Sequence, residues 1–103
     1  MKIDYLPDMY RDSYYPKHLV DAIKVQLERV EALLATGEKD IAIIQKQLDK
    51  VTEEINDIGF KMMDEGSELE TVARDDIALT VEAILQAYHI TIDVEEALRM
   101  RDF

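Results

Sequence analysis

Glu28 and Glu31 stand three residues apart, as do Glu54 and Asp57. Carboxylates at that spacing share a helix face, where hard oxygen ligands could hold Mg²⁺ against the phosphates of a substrate. The pattern has little specificity, because 23 of the 103 residues are Asp or Glu and such pairs arise from composition alone. Geometry separates the pairs as well. If the chain turns back near Gly37, Glu28 and Glu31 lie opposite residues 45 to 48, which leaves Glu54 and Asp57 roughly 10 to 18 Å further along the axis. At 100° per residue Asp57 projects about 150° from the centre of the apolar stripe on its helix, toward solvent. The favoured reading of all four is a solvated face.

A second row, Asp75, Glu82 and His89, recurs every seven residues and so shares a face, but successive members lie roughly 10 Å apart, too far for one ion. A polar helix face is preferred here too, with His89 near a helix C-terminus, where a cation is favoured. His18 is solitary. The chain has no cysteine, which removes thiolate nucleophiles, thiolate metal sites and disulfides together. No Ser/His/Asp set at persuasive spacing and no glycine-rich phosphate loop is present, so no catalytic residue, metal or cofactor is expected.

The elements that carry these residues are helices. After Pro16, placed for a first helical position, residues 17–35 set Val20, Ile23, Leu27, Val30 and Leu34 at alternating steps of three and four, and Gly37 ends the run. From about 40 to 64, Ile41, Ile44, Leu48, Val51, Ile55, Ile58 and Met62 repeat the rhythm for three heptads. Ile43 and Phe60 fall off that stripe, so this helix has apolar surface for more than one neighbour, and Met63 is offset by 100° to an edge. Gly59, inside the helix at a cost of about 1 kcal/mol, marks a close crossing or a bend. A third helix is expected over 68–88, opened by a capping box of Ser67 and Glu70, with Leu69, Val72, Ala73, Ile77, Val81, Ile84 and Tyr88 on one side. Residues 89–92 read as an extended connector. Asp93 and Glu96 predict a second capping box, with Ile92 stapled on Ala97 and a short helix over 93–101. Short loops make consecutive helices antiparallel neighbours. The expected fold is therefore an all-α, up-down helical bundle of three long helices plus a short C-terminal helix, in one domain covering 1–103.

Composition narrows the partners. The formal charge of −11 repels a phosphate backbone, and the lysines and arginines form no cluster, so nucleic-acid binding is not expected. No apolar run approaches the roughly 18 residues needed to cross a bilayer, and the N-terminus has no apolar signal core, so a cytoplasmic protein without membrane contact is expected. A protein partner or a second copy of the chain remains, with basic surfaces favoured by the charge.

Four of five tyrosines, Tyr5, Tyr10, Tyr14 and Tyr15, precede the first long helix. A disordered tail would not concentrate so many apolar rings. Residues 1–15 are therefore read as an extended segment packed on the bundle, with Tyr5, Leu6, Tyr10 and Tyr14 forming a lid whose hydroxyls stay wet. The same tyrosines, together with Ile43, Phe60 and Met63, are the candidate interaction surface.

The segments "YLPDMYRDSYYPKHLVD", "GSELETVARDDIALTVEAIL" and "DVEEALRMRDF" make nearly the whole chain resemble a bacterial family of small acidic proteins known only as a domain of unknown function. The resemblance implies a bacterial cytoplasmic protein and carries over no catalytic residue. The four carboxylates separately resemble the magnesium site of all-α nucleotide pyrophosphohydrolases. Three functions follow in order of preference: a non-enzymatic protein–protein interaction or self-associating module, a Mg-dependent enzyme of that hydrolase type, and an immunity or inhibitor protein that binds a basic partner.

Overall fold

Alternating three- and four-residue apolar spacing builds the two longest elements. In the computed structural model, which describes residues 2–103, the chain forms α1 (Pro7–Arg11), α2 (Lys17–Ala35), α3 (Ile41–Asp64), α4 (Thr71–Ala87) and α5 (Val94–Ala97), with no strand among the described residues. It is an all-α bundle. Leu19, Val20, Ile23, Leu27, Val30 and Leu34 of α2 are buried, as are Ile44, Leu48, Val51, Ile55, Ile58 and Met62 of α3. Ile41, assigned to the same stripe, is 49% exposed because it occupies the first turn at the end of the bundle. The 24 residues of α3 span about 36 Å at 1.5 Å per residue, nearly the longest dimension of the molecule, 39 Å.

Several helix ends depart from expectation, and the local backbone bonds at each end show why. Pro16 is the N-cap of α2 rather than its first helical residue, and its carbonyl accepts from the amides of Leu19 and Val20 at 3.0 and 3.1 Å. Asp40 caps α3 by accepting from Ala42 and Ile43 at 2.9 and 3.4 Å. Gly66, at φ 81°, closes that helix: its amide donates to Met63, and the amide of Ser67 donates to Met62 at 2.9 Å. This closure overturns the first capping box. With its amide committed backward to Met62, Ser67 belongs to the end of α3, α4 begins at Thr71 rather than 68, and Glu70 is the N-cap without a side-chain bond. Helix α4 ends at Ala87, one residue before the expected Tyr88. The same motif closes it, with His89 at φ 58° and the Ile90 amide on Leu85 at 2.9 Å.

The final helix is likewise shorter than the expected 93–101, ending at Ala97, and Asp93 makes no side-chain cap bond. Side chains of α3 interrupt it. Gln45 donates to the carbonyls of Glu96 and Ala97 at 3.0 and 3.4 Å, and Arg99 grips Asp49 with both carboxylate oxygens at 3.0 and 2.7 Å. Past Ala97 the chain continues only as a tighter turn, with the Arg99 amide on Glu96 and the Arg101 amide on Leu98, at 3.2 and 3.0 Å, while the α3 side chains hold it from the side.

The N-terminal segment is not extended throughout, for it contains α1. Pro7 supplies a fixed helical φ, and Leu6 just before it takes a left-handed φ of 50°, which turns the chain sharply onto α4. Helix α2 lies between α3 and α4, α1 packs on α4 and α2, and α5 bridges α4 and α3. Helices α3 and α4, although consecutive, make no close backbone approach, so the expectation that every consecutive pair would be neighbours fails at that step. The short elements α1 and α5 complete the core there, with Leu6, Met9, Ala97 and Leu98 buried.

Candidate functional site

The carboxylates that suggested metal chemistry are dispersed. Glu31 is half-buried and accepts hydrogen bonds from two phenols, Tyr5 and Tyr88, the latter at 3.0 Å, while Glu28, Glu54 and Asp57 are exposed. Among the described residues no three Asp, Glu or His side chains converge on a point that could hold a metal ion. His18 is not solitary in space, since its Nε2 lies 2.9 Å from Glu65 and joins the start of α2 to the end of α3. His89 caps α4 through its backbone, as described above.

The tyrosines divide by burial. Tyr15 is 2% exposed and meets the ring of Tyr14 edge-on, with centroids 5.1 Å apart. Tyr5 and Tyr10 are half-buried against the core. Burial, followed by the hydrogen bond to Glu31, raises the pKa of Tyr5. Its ring carries the Lys24 ammonium 5.8 Å from the centroid. Burial and a 2.5 Å hydrogen bond to Asp21 push Tyr10 up to about 12. Tyr14 is 41% exposed and donates to Glu70 at 3.4 Å. Of the four rings, Tyr14 is the one that faces solvent. Leu6 of the expected lid is fully buried, and the rest of the deep insertion is made by Ile3, Met9 and Tyr15.

A pair of buried polar residues on α4 holds that insertion in place. The Asp76 carboxylate accepts from the amide of Met9 at 2.8 Å, and Thr80 Oγ1 accepts from the amide of Leu6 at 3.2 Å while donating to the carbonyl of Asp76 at 2.8 Å. Helix α1 is thus capped by another helix instead of by its own side chains. Burial, the largest cause, raises the pKa of Asp76 against the lowering effect of the Met9 amide. Sequence reasoning missed this latch. Its signal was two polar residues, Asp76 and Thr80, set one turn apart beside the apolar Ile77 and Val81.

The remaining predicted surface residues lie far apart. Ile43 is 45% exposed near the start of α3, whereas Phe60 follows it by 17 residues, about 25 Å along the axis. Phe60 and Met63, one turn apart and 60% and 56% exposed, line a groove of about 240 Å³. Its walls are completed by Gly59, Leu69 and Phe103, with Glu68 and Asp102 as the charged lining groups. The close approach that Gly59 marks is by Leu69, a residue of the link before α4 rather than of a crossing helix. A Cβ there would meet Leu69 Cδ1 at 3.0 Å, so the glycine makes room for the link between α3 and α4. On the other side Asn56 clamps the C-terminal segment, donating to the carbonyl of Met100 at 2.8 Å and accepting from the amide of Asp102 at 2.9 Å. That clamp sets Phe103 against the groove. Its members were readable as a polar row, Gln45, Asp49 and Asn56, flanking the apolar stripe of α3, but their targets lie about 45 to 50 residues away in sequence.

The chemistry such a groove offers is apolar contact beside negative charge. Comparison with protein-family models gives a match over residues 1–103 to a family described as of unknown function, DUF5713. Neither the curated proteins nor the solved structures give a match.

Proposed function

We propose that this chain, which belongs to the DUF5713 family of unknown function, is a non-enzymatic module that binds another protein through the groove beside Phe60. The observation that carries the reading is the exposure of Phe60 and Met63, 60% and 56%, side by side over a concavity built from three separate chain segments. Large apolar side chains grouped on a surface depression are the usual anchor points of a protein interface. The magnesium-hydrolase alternative is less favoured, because Glu31 serves as a phenol acceptor and no three carboxylate or imidazole groups converge among the described residues. A bacterial cytoplasmic setting belongs to the same proposal.

The test is co-purification of the tagged full chain from its native host, compared with the double variant Phe60→Ser, Met63→Ser. A protein recovered by the wild type at a constant ratio and lost by a variant of unchanged melting temperature supports the module. Identical recovery by both proteins removes the groove from the function. Concentration-dependent self-association of the wild type alone, abolished in the variant, would place a second copy in the groove instead.

A further inference from the structure

We infer that the occupant of the Phe60 groove is a basic segment of a different protein that inserts one bulky apolar side chain; this rests on the binding-module reading above. The charged side chains lining the groove, Glu68 and Asp102, are both acidic, and among the described residues no lysine, arginine or histidine lines it. Around them the chain carries a formal charge of −11. A second copy brought groove to groove across a two-fold axis would bring two acidic rims into one interface with no basic lining group between them, and like charges gathered at an interface oppose association. A cationic segment meets the opposite situation. Its lysines or arginines find Glu68 and Asp102 at the edge, and the field of the whole molecule speeds its approach.

The size of the cavity fixes the apolar part. At about 240 Å³ the groove is smaller than the usual small-molecule pocket and accommodates one large side chain rather than a whole helix face. Phe60 offers an exposed aromatic face for a flanking guanidinium or ammonium, and Met63 is a flexible wall that adjusts to leucine, phenylalanine or methionine. Asn56 contributes little to recognition, since both ends of its amide are already engaged by the C-terminal segment. Affinity would therefore come from one anchor and charge pairs at the rim, which makes it sensitive to salt.

The experiment is a titration of the ¹⁵N-labelled full chain with three synthetic peptides, followed by amide shifts. The first peptide has a single leucine flanked on both sides by lysines, the second replaces that leucine with serine, and the third replaces the lysines with glutamates. The proposal expects the first to shift the amides of Gly59, Phe60, Met63 and Leu69, with Kd at least about tenfold tighter than for either control. Its binding weakens severalfold between low and physiological salt, and Glu68→Lys weakens it further. The Phe60→Ser, Met63→Ser variant abolishes the shifts. Equal binding of the glutamate peptide at the same amides overturns the cationic occupant while leaving the binding module intact. Shifts at those amides on concentrating the chain without peptide overturn it in favour of a second copy. No response from any peptide overturns the basic-segment proposal, and if the variant also co-purifies the same proteins as the wild type, the module reading falls with it.

Discussion

Leu6 and His89 both hold left-handed backbone, at φ 50° and 58°, where a residue with a Cβ carries a cost of about 1–2 kcal/mol. Relieving that strain should have opposite results at the two places. The Leu6 side chain is wholly buried, so its removal would lose more burial, about 1.5–3 kcal/mol, than the backbone regains. His89 is exposed and sits where a helix usually ends on glycine. His89→Gly is accordingly expected to stabilise the chain by up to about 1 kcal/mol, seen by calorimetry as a melting temperature raised by a few degrees. A lower melting temperature would show that the imidazole makes a contact of its own. The N-terminal rings allow a second residue-scale prediction. Met9→Ala should destabilise by about 2–5 kcal/mol, because the side chain is fully buried, whereas Tyr14→Ala should leave denaturant unfolding nearly unchanged. Of the expected lid, Tyr5, Leu6, Tyr10 and Tyr14, Leu6 is fully buried and Tyr5 and Tyr10 pack half-buried on the core, whereas Tyr14 is exposed and the deep burial beside Leu6 comes from Ile3, Met9 and Tyr15. A phenol needs a partner for its hydroxyl, which Tyr5 and Tyr10 find in carboxylates at the rim, whereas Ile3, Leu6 and Met9 have no polar group to keep them there.

Elements defined by their own periodicity were readable from the sequence, and elements defined by distant partners were not. The stripes of α2 and α3 repeat for about four and five turns, and the helices run as that rhythm requires, Lys17–Ala35 and Ile41–Asp64. Helix α1 has five residues and exists because Asp76 and Thr80 receive its amides, information that sits about 70 residues away. The truncation of α5 likewise depends on Gln45 and Asp49. The groove combines both cases: Phe60 and Met63 stood out as apolar residues off the stripe, but Leu69, Asp102 and Phe103 reach it only through the fold. The Asp49–Arg99 pair and the Asp76 latch should respond oppositely to acid. Hydrogen bonding by Arg99 lowers the pKa of Asp49 from its usual 3.8, so its stabilisation is complete above that value and is lost as pH falls through the lower folded pKa. Burial raises that of Asp76, so protonation favours the fold, and its contribution is fullest below pH 3.8 and is lost as pH rises through the folded value. The stability difference between wild type and Asp76→Asn should therefore move in favour of the wild type as pH falls from neutral toward 4. Asp49→Asn should instead flatten the acid limb of the unfolding profile below that pH. A difference that moves toward the asparagine variant on acidification would show that Asp76 is stabilised as the anion.

At the scale of the whole molecule, 23 acidic and 12 basic residues share a body with a radius of gyration of 13.0 Å. Like charges crowded to that density repel across distances comparable with the Debye length, about 10 Å at 0.1 M salt. Ion pairs oppose this only weakly. Arg11 with Asp8, His18 with Glu65, and Arg101 with Glu95 each have at least one well-exposed partner, and surface pairs of that kind contribute about 0–1 kcal/mol each. Among the ion pairs of the described residues, that of Asp49, with 20% side-chain exposure and a bidentate arginine, has the geometry to resist screening. Added salt weakens attraction and repulsion together, and with the acidic surplus the repulsive part is larger. Raising sodium chloride from about 20 mM to 200 mM, across which the Debye length falls from roughly 20 to 7 Å, should therefore raise the melting temperature of the isolated chain by a few degrees. The same change should loosen any complex with a basic partner. Opposite salt dependences of folding and of binding, measured on one sample by calorimetry and by titration, follow if the surplus charge disfavours the compact fold and favours association. A melting temperature that falls with salt would show instead that the ion pairs dominate the electrostatics of the fold, and would take away the reason to regard the excess of carboxylates as serving a partner.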